Sequence, residues 1–359
     1  MHKLSNFSQG KDNNFNLIRI IAALAVLISH GVTLAPVSGK AELLRESIGM
    51  TPGGIAVDTF FITSGFLVTA SLLNRSSLVE FVWARTLRIY PALIIMLLLT
   101  VFVLGPALTS LPLSEYFLTR ETYTYLPRSS TLFINVARQL PGVFSNNPVP
   151  NTNASLWTLP YEVRMYATLA VAWLVLKIMP RRRVKALKAL IIIFAALSGI
   201  YVFVDHFYLS PGTRYARLPF MFFTGASFYV LKDRIPIYHW LFWTLLSAVV
   251  FSAHDKDLFY IVYSLSLAYI VFFLAYIPSG FIRRYNSLGD YSYGIYIYAW
   301  PVQQSVAALI PSVSILNMIL TSGAITILLS AASWHFIEKH ALKLKVICVE
   351  RTRRIVRFA

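Results

Sequence analysis

Ten stretches of this 359-residue chain run for about 20 residues with few charges, the length an α-helix needs to cross the hydrocarbon of a bilayer. They fall at 17–35, 53–73, 89–110, 155–177, 189–206, 215–231, 236–252, 258–278, 291–310 and 313–334. Only 13% of the residues are charged, against about 25% in soluble domains, and the mean hydropathy is +0.63. Lipid offers no hydrogen bonds to the backbone, so a spanning chain must satisfy its own amides. These patterns predict an all-α integral membrane protein with about ten transmembrane helices. The second, fourth, sixth and ninth stretches are interrupted by Gly, Pro or charge, which suits helices buried among others.

The charges give an orientation. Net charge is +17, from 32 Lys and Arg against 15 Asp and Glu. Such an excess suits nucleic-acid binding or the positive-inside bias of a membrane protein, and its placement decides. With the N-terminus inside, 22 of the 32 basic residues are cytoplasmic and 8 are outside, while Arg19 and Arg164 lie within spans. The bias predicts N-in, C-in topology and accounts for the basicity with no nucleic-acid partner. Residues 1–340 form the expected transmembrane domain, and 341–359 a basic amphipathic tail on the inner leaflet. Residues 111–154 form the long outer segment, positioned to cover or line an opening. The first apolar run reads as a retained helix, not a signal peptide. Cys348 is the only cysteine, so no internal disulfide forms.

Ionisable groups inside a membrane segment are costly and usually face protein or a water-filled path. Arg19 and His30, eleven residues apart, fall on one helix face, since eleven residues turn through three full turns plus roughly 20°. They are separated by about 16 Å along the axis. Either His30 is a packing residue, or it is the best general base in the chain, because a neutral imidazole can take a proton from a hydroxyl. Arg19 is an anion contact or an orienting partner, since guanidinium keeps its proton. Ser64, in the second stretch, reads as packing or a ligand contact, because the nucleophile spacing G-x-S-x-G is absent. Asp58 is either interfacial and solvated or functional. Arg85 and Arg88, three apart, make either a two-pronged phosphate clamp or an ordinary cytoplasmic anchor. Glu162 and Tyr166 share a face at i,i+4, and an intramembrane carboxylate is a functional candidate. The tyrosines of 291–298 run too deep for an interfacial belt and read as a polar-aromatic lining. No histidine pair has metal-site spacing, so no metal is expected.

Taken in order, these motifs resemble the acyltransferase-3 family of integral membrane acyltransferases. The resemblance is carried by Arg19…His30, Phe61-x-x-Ser64-Gly65-Phe66, Arg85-x-x-Arg88-Ile89-x-Pro91, Ser155-Leu156-Trp157-x-Leu159-x-x-Glu162 and the Gly289–Tyr296 stretch, closing with Trp334–Lys339. It spans nearly the whole chain. One departure is Ala299, where relatives often carry a histidine.

The resemblance implies an acyl-CoA-dependent O-acyltransferase in a bacterial cytoplasmic membrane. Acetyl-CoA, or another acyl-CoA, is the implied co-substrate, with no tightly bound cofactor. The acceptor is implied to be a hydroxyl of a cell-surface or lipid-linked glycan such as O-antigen or exopolysaccharide. In that scheme His30, Glu162 and Arg19 are catalytic, and Arg85 and Arg88 hold the CoA phosphates. Ser64, Ser155, Trp157, Tyr166, Tyr293 and Tyr296 contact substrate. The alternatives are acylation of a small molecule such as an antibiotic sugar, and transport of a polyprenyl-linked sugar, which the lack of an internal repeat disfavours.

Overall fold

Helices occupy every one of the ten apolar stretches. They are α1 (Phe15–Leu34), α2 (Pro52–Arg75), α3 (Leu78–Leu99), α4 (Leu159–Val175), α5 (Arg183–Val204), α6 (Arg214–Val230), α7 (His239–Phe251), α8 (Lys256–Tyr276), α9 (Ser292–Leu309) and α10 (Ile315–Ser333), followed by a tail helix α11 (Lys345–Phe358). The computed structural model describes residues 3–10, 12–36, 42–75, 77–133, 135–209 and 214–358, without the side chains of 214, 215 and 356–358. Lys11 and Lys40, counted in the orientation argument, lie outside the described residues. Among the described residues there is no strand, only isolated bridges joining Lys3 to Pro236 and Thr109 to Val143.

Six described segments are long and apolar enough to cross a membrane: Phe15–Leu34, Pro52–Arg75, Leu78–Leu108, Arg183–Leu209, Lys256–Tyr276 and Ile315–Ile355. The helices α4, α6 and α7 are shorter, at 17, 17 and 13 residues. Two boundaries differ from expectation. The third stretch was expected at 89–110 with Arg85 and Arg88 on its flank, but α3 begins at Leu78 and contains both arginines. Leu78, Phe81 and Trp83 extend the apolar pattern backwards, and buried Phe81 anchors it. At the other end, α10 does not stop before the tail. A π turn at Trp334–Glu338 and a short helix at Lys339–Lys343 carry it towards α11. A second π turn, Thr100–Leu104, lies just before Pro106, whose missing N–H cannot continue the i→i−4 ladder.

The chain divides into two compact units. The first comprises Met1–Ala22, Leu44–Leu78 and Met165–Gly289, the second Ala23–Leu43, Val79–Arg164 and Asp290–Ala359.

In the first unit, α2 and α6 cross at backbone contact because each brings a glycine to the other's carbonyl. A Cβ on Gly65 would lie 1.9 Å from the carbonyl oxygen of Phe222, and one on Gly225 would lie 2.0 Å from that of Ile62. Small residues permit such crossings in membrane bundles. Beside the crossing, Phe66 is buried among Phe15, Tyr229, Phe272 and Tyr276. Asn14 fastens the start of α1 to the end of α8, donating through Nδ2 to the carbonyls of Leu274 (3.0 Å) and Pro278 (2.8 Å).

In the second unit, α9 and α10 pack closely at Gly294, whose Cβ would meet Ser330 Cα at 2.8 Å. A core of Leu34, Trp300, Val306, Val313 and Met318 fills one end. The segment after α3 folds back on it. Tyr116 is buried and donates to the carbonyl of Val101 at 2.8 Å, and burial pushes its phenol up to about 12, so it remains a neutral donor. The tail helix is pinned to the start of α3 by Trp83 Nε1 donating to Thr352 Oγ1 (2.9 Å) and by Arg353 against Glu80 (2.8 Å).

Substituting Gly65→Ala or Gly225→Ala is expected to cost about 1–3 kcal/mol or more, because the added methyl meets backbone, which cannot rotate away. Gly323→Ala, whose nearest neighbour is Leu27 Cδ2 at 3.9 Å, is expected to be tolerated. Thermal unfolding in detergent checks both outcomes.

Candidate active site

In the second unit the arginine motif of α3 meets the tyrosine-rich start of α9. Arg88 donates through Nη2 to Asp290 (2.5 Å) and through Nη1 to Glu338 (3.1 Å). All three side chains are largely withdrawn from solvent, Glu338 at 2% exposure. Glu338 also accepts from Ser333 Oγ at 3.0 Å, an i,i+5 pair that the π turn draws together. Asp290 accepts from the Ser292 hydroxyl and from its backbone N–H (3.2 Å), fixing the entry to α9. The Arg88 guanidinium lies 5.6 Å from the centre of the Tyr293 ring, and the Tyr293 hydroxyl donates to the Ile89 carbonyl at 2.9 Å. Glu162 is partly buried and within electrostatic reach of Arg88, Tyr293 and Tyr296. The Tyr296 hydroxyl pairs with Thr158 Oγ1 at 2.6 Å. Arg85, one turn before Arg88, is also partly buried.

His30 belongs to the same unit. Its ring stands edge-on to Trp300, with centroids 4.8 Å apart, and its Nδ1 is buried with no hydrogen-bond partner among the described residues. The segment 147–153 is held to α9 by side chains outside the sequence motifs. Trp300 Nε1 donates to the Asn151 carbonyl (2.9 Å), and Gln304 Nε2 to those of Val149 (2.5 Å) and Asn151 (2.7 Å). Asn147 Nδ2 in turn donates to Gln304 Oε1 (2.8 Å), and Asn153 Nδ2 to the Ile297 carbonyl (2.9 Å). Asn153 Oδ1 accepts from the Ser155 N–H at 3.1 Å, capping the turn Ala154–Thr158 that leads into α4. Ser155 is buried and its Oγ has no partner among the described residues. Trp157 lies on that turn, its ring 6.1 Å from that of Tyr161. The only sequence signal for Gln303 and Gln304 is two adjacent amides in an otherwise apolar run.

In the first unit the Ser64 hydroxyl pairs with the Tyr166 hydroxyl at 2.8 Å, so two candidate residues from distant motifs meet. The Arg19 guanidinium lies 5.8 Å from the centre of the Phe60 ring. Asp58 is not solvated. It is fully buried, accepts from Arg217 Nε at 2.7 Å and from the Tyr263 hydroxyl at 2.8 Å, and so joins α2, α6 and α8. Arg217 lies in α6 and is Asp58's counter-ion.

The arrangement offers a partly buried imidazole, side-chain hydroxyls and cations near carboxylates, the equipment for moving a proton and holding an anion. Residues 12–336 match the family described as an acyltransferase domain, the acyltransferase-3 family. The chain belongs to that family. The acyltransferase is also similar along nearly its whole length to proteins from two sources. An O-acetyl transferase of Shigella phage Sf6 is 32% identical over 348 residues, covering 92% of this chain and 96% of the relative. Nodulation protein 10 of Rhizobium leguminosarum bv. viciae is 28% identical over 379 residues, covering 96% and 97%. No solved structure matches the acyltransferase. The six described segments long and apolar enough to cross a membrane, within this family, make it a multi-pass membrane protein.

Arg88→Gln in this acyltransferase would leave Asp290 and Glu338 without their cation, and breaking a buried pair typically costs about 3–5 kcal/mol. A clear fall in detergent melting temperature is expected for Arg88→Gln.

Proposed function

We propose that this enzyme transfers an acyl group, acetyl in the simplest case, from a cytoplasmic acyl-CoA to a hydroxyl of a cell-surface or lipid-linked glycan. The observation that carries the reading is the near-full-length similarity to an O-acetyl transferase, within a family whose motifs stand in order along the chain. The bacterial inner membrane, ten spans and N-in, C-in orientation complete the proposal, supported by the basic-residue bias.

In this reading His30 is the base. Its neutral imidazole takes the proton of the acceptor hydroxyl as the oxygen attacks the thioester carbonyl. A C–O bond forms, the C–S bond breaks, and the proton passes from the imidazolium to the departing CoA thiolate. The products are the ester and CoA thiol, so the chemistry balances without a metal or resident cofactor. Arg85 contacts the CoA phosphates. Arg88, held by Asp290 and Glu338, fixes the turn of α3 that carries it. Arg19 is a further anion contact on the donor side. Glu162 supplies a counter-charge, its reach to Arg88 supporting that role. Ser155, Trp157, Tyr293 and Tyr296 are the proposed substrate contacts in the second unit, and Ser64 with Tyr166 those in the first.

Membranes containing His30→Ala are expected to lose transfer of label from radiolabelled acetyl-CoA to glycan by at least about 100-fold, the usual range for a general base. Wild-type transfer by that variant would remove His30 from the chemistry. Arg85→Ala is expected to raise the KM for acetyl-CoA with a smaller change in kcat.

A further inference from the structure

Where α1 packs on α9 in the second unit, two buried polar atoms have no partner among the described residues. On α9, Trp300 and Gln303 are three residues apart and share a face. Trp300 meets the ring of His30, while Gln303, fully buried, donates through Nε2 to the Leu27 carbonyl at 2.7 Å, one turn before His30 on α1. That bond fixes the amide's orientation, because a flipped amide would set oxygen against oxygen. A Cβ on Gly31 would lie 3.2 Å from Gln303 Nε2 and 2.8 Å from Ile319 Cγ1, so the bare backbone at position 31 is what lets the amide lie so close. The consequence is an oriented acceptor. Among the described residues, Gln303 Oε1 and His30 Nδ1 are both buried with no hydrogen-bond partner. Each such deficit costs about 1–3 kcal/mol, and one donor with one acceptor cancels both.

We infer that Gln303 is the positioning residue for His30, its Oε1 accepting a hydrogen bond from Nδ1–H after a small rotation of the side chains. The bond selects the tautomer whose Nε2 carries the lone pair, as the orienting partners of catalytic and metal-bound histidines do. A neutral amide does this without adding charge to a dry site. The inference rests on the reading of His30 as the base.

The test uses the full chain in membranes, with radiolabelled acetyl-CoA as donor and the host membranes as acceptor. Gln303→Met keeps the side-chain length and removes the acceptor. It is expected to lower kcat about 10–100-fold, the range for such orienting partners, with the KM for acetyl-CoA unchanged. Added to His30→Ala, it is expected to cost nothing further, since there is no imidazole left to orient. Unchanged kcat in Gln303→Met, or an equal further loss in the double variant, overturns the inference. If Gln303→Met does not accumulate, Gln303→Glu decides. A carboxylate facing Nδ1 favours the imidazolium, so the acid limb of the rate profile moves to higher pH; an unmoved limb overturns the inference. Wild-type transfer by His30→Ala would instead overturn the functional reading itself, whereas an inactive His30→Ala beside an unaffected Gln303→Met removes only Gln303.

Discussion

A charge buried in a chain that crosses lipid must find its counter-charge within the protein, and the Arg88–Asp290–Glu338 cluster does this for the second unit. It joins three segments far apart in sequence: the motif turn of α3, the residues entering α9 and the π turn ending α10. The cost of desolvating an arginine and two carboxylates is recovered only when both bonds form together with the supporting ones from Ser292 and Ser333. That requirement fixes where Tyr293 and Tyr296 stand on α9. Through α9 it also fixes Trp300 and Gln303 beside His30. Arg88 thus ties α3 to the start of α9 and the end of α10 through charge balance.

The first unit solves the same problem with different parts. Asp58 is neutralised by Arg217 and tied down by Tyr263, which locks α2 to α6 and α8. Because Gly65 and Gly225 allow α2 and α6 to touch along the backbone, Ser64, next to Gly65, is held rigidly where it meets Tyr166. The Ser-Gly pair of the motif thus has a packing reason for its glycine and leaves its serine as the polar contact.

The positions of the helices were legible because about 20 apolar residues in a row admit one solution in lipid. The candidate site was legible as a set of residues, since charges and amides within such runs are conspicuous. Their partners were not. Nothing local to Arg88 announces Asp290 or Glu338, some two hundred residues onward, and nothing local to Asp58 announces Arg217, so its two readings stayed open. The start of α3 was not legible because Arg85 and Arg88 end the apolar run, while the helix itself continues back through them. Paired charges inside a helix leave the same trace in sequence as solvated ones outside it. Gln303 and Gln304 were passed over because amides carry no charge, although one pins the 147–153 segment and the other faces the turn that bears His30.

Membership of the acyltransferase-3 family, a partly buried histidine whose Nδ1 has no partner among the described residues and hydroxyls gathered from separate motifs together support acyl transfer to a hydroxyl. The central claim is that the acyl group ends on a glycan. Mass spectrometry of surface and lipid-linked glycans from cells with and without the protein tests it most directly. The account predicts a base-labile mass increment of one acyl group per modified sugar, present only when the intact protein is expressed and absent with His30→Ala. Identical glycan masses in all three strains, with the protein folded and the acyl-CoA supply normal, would contradict it.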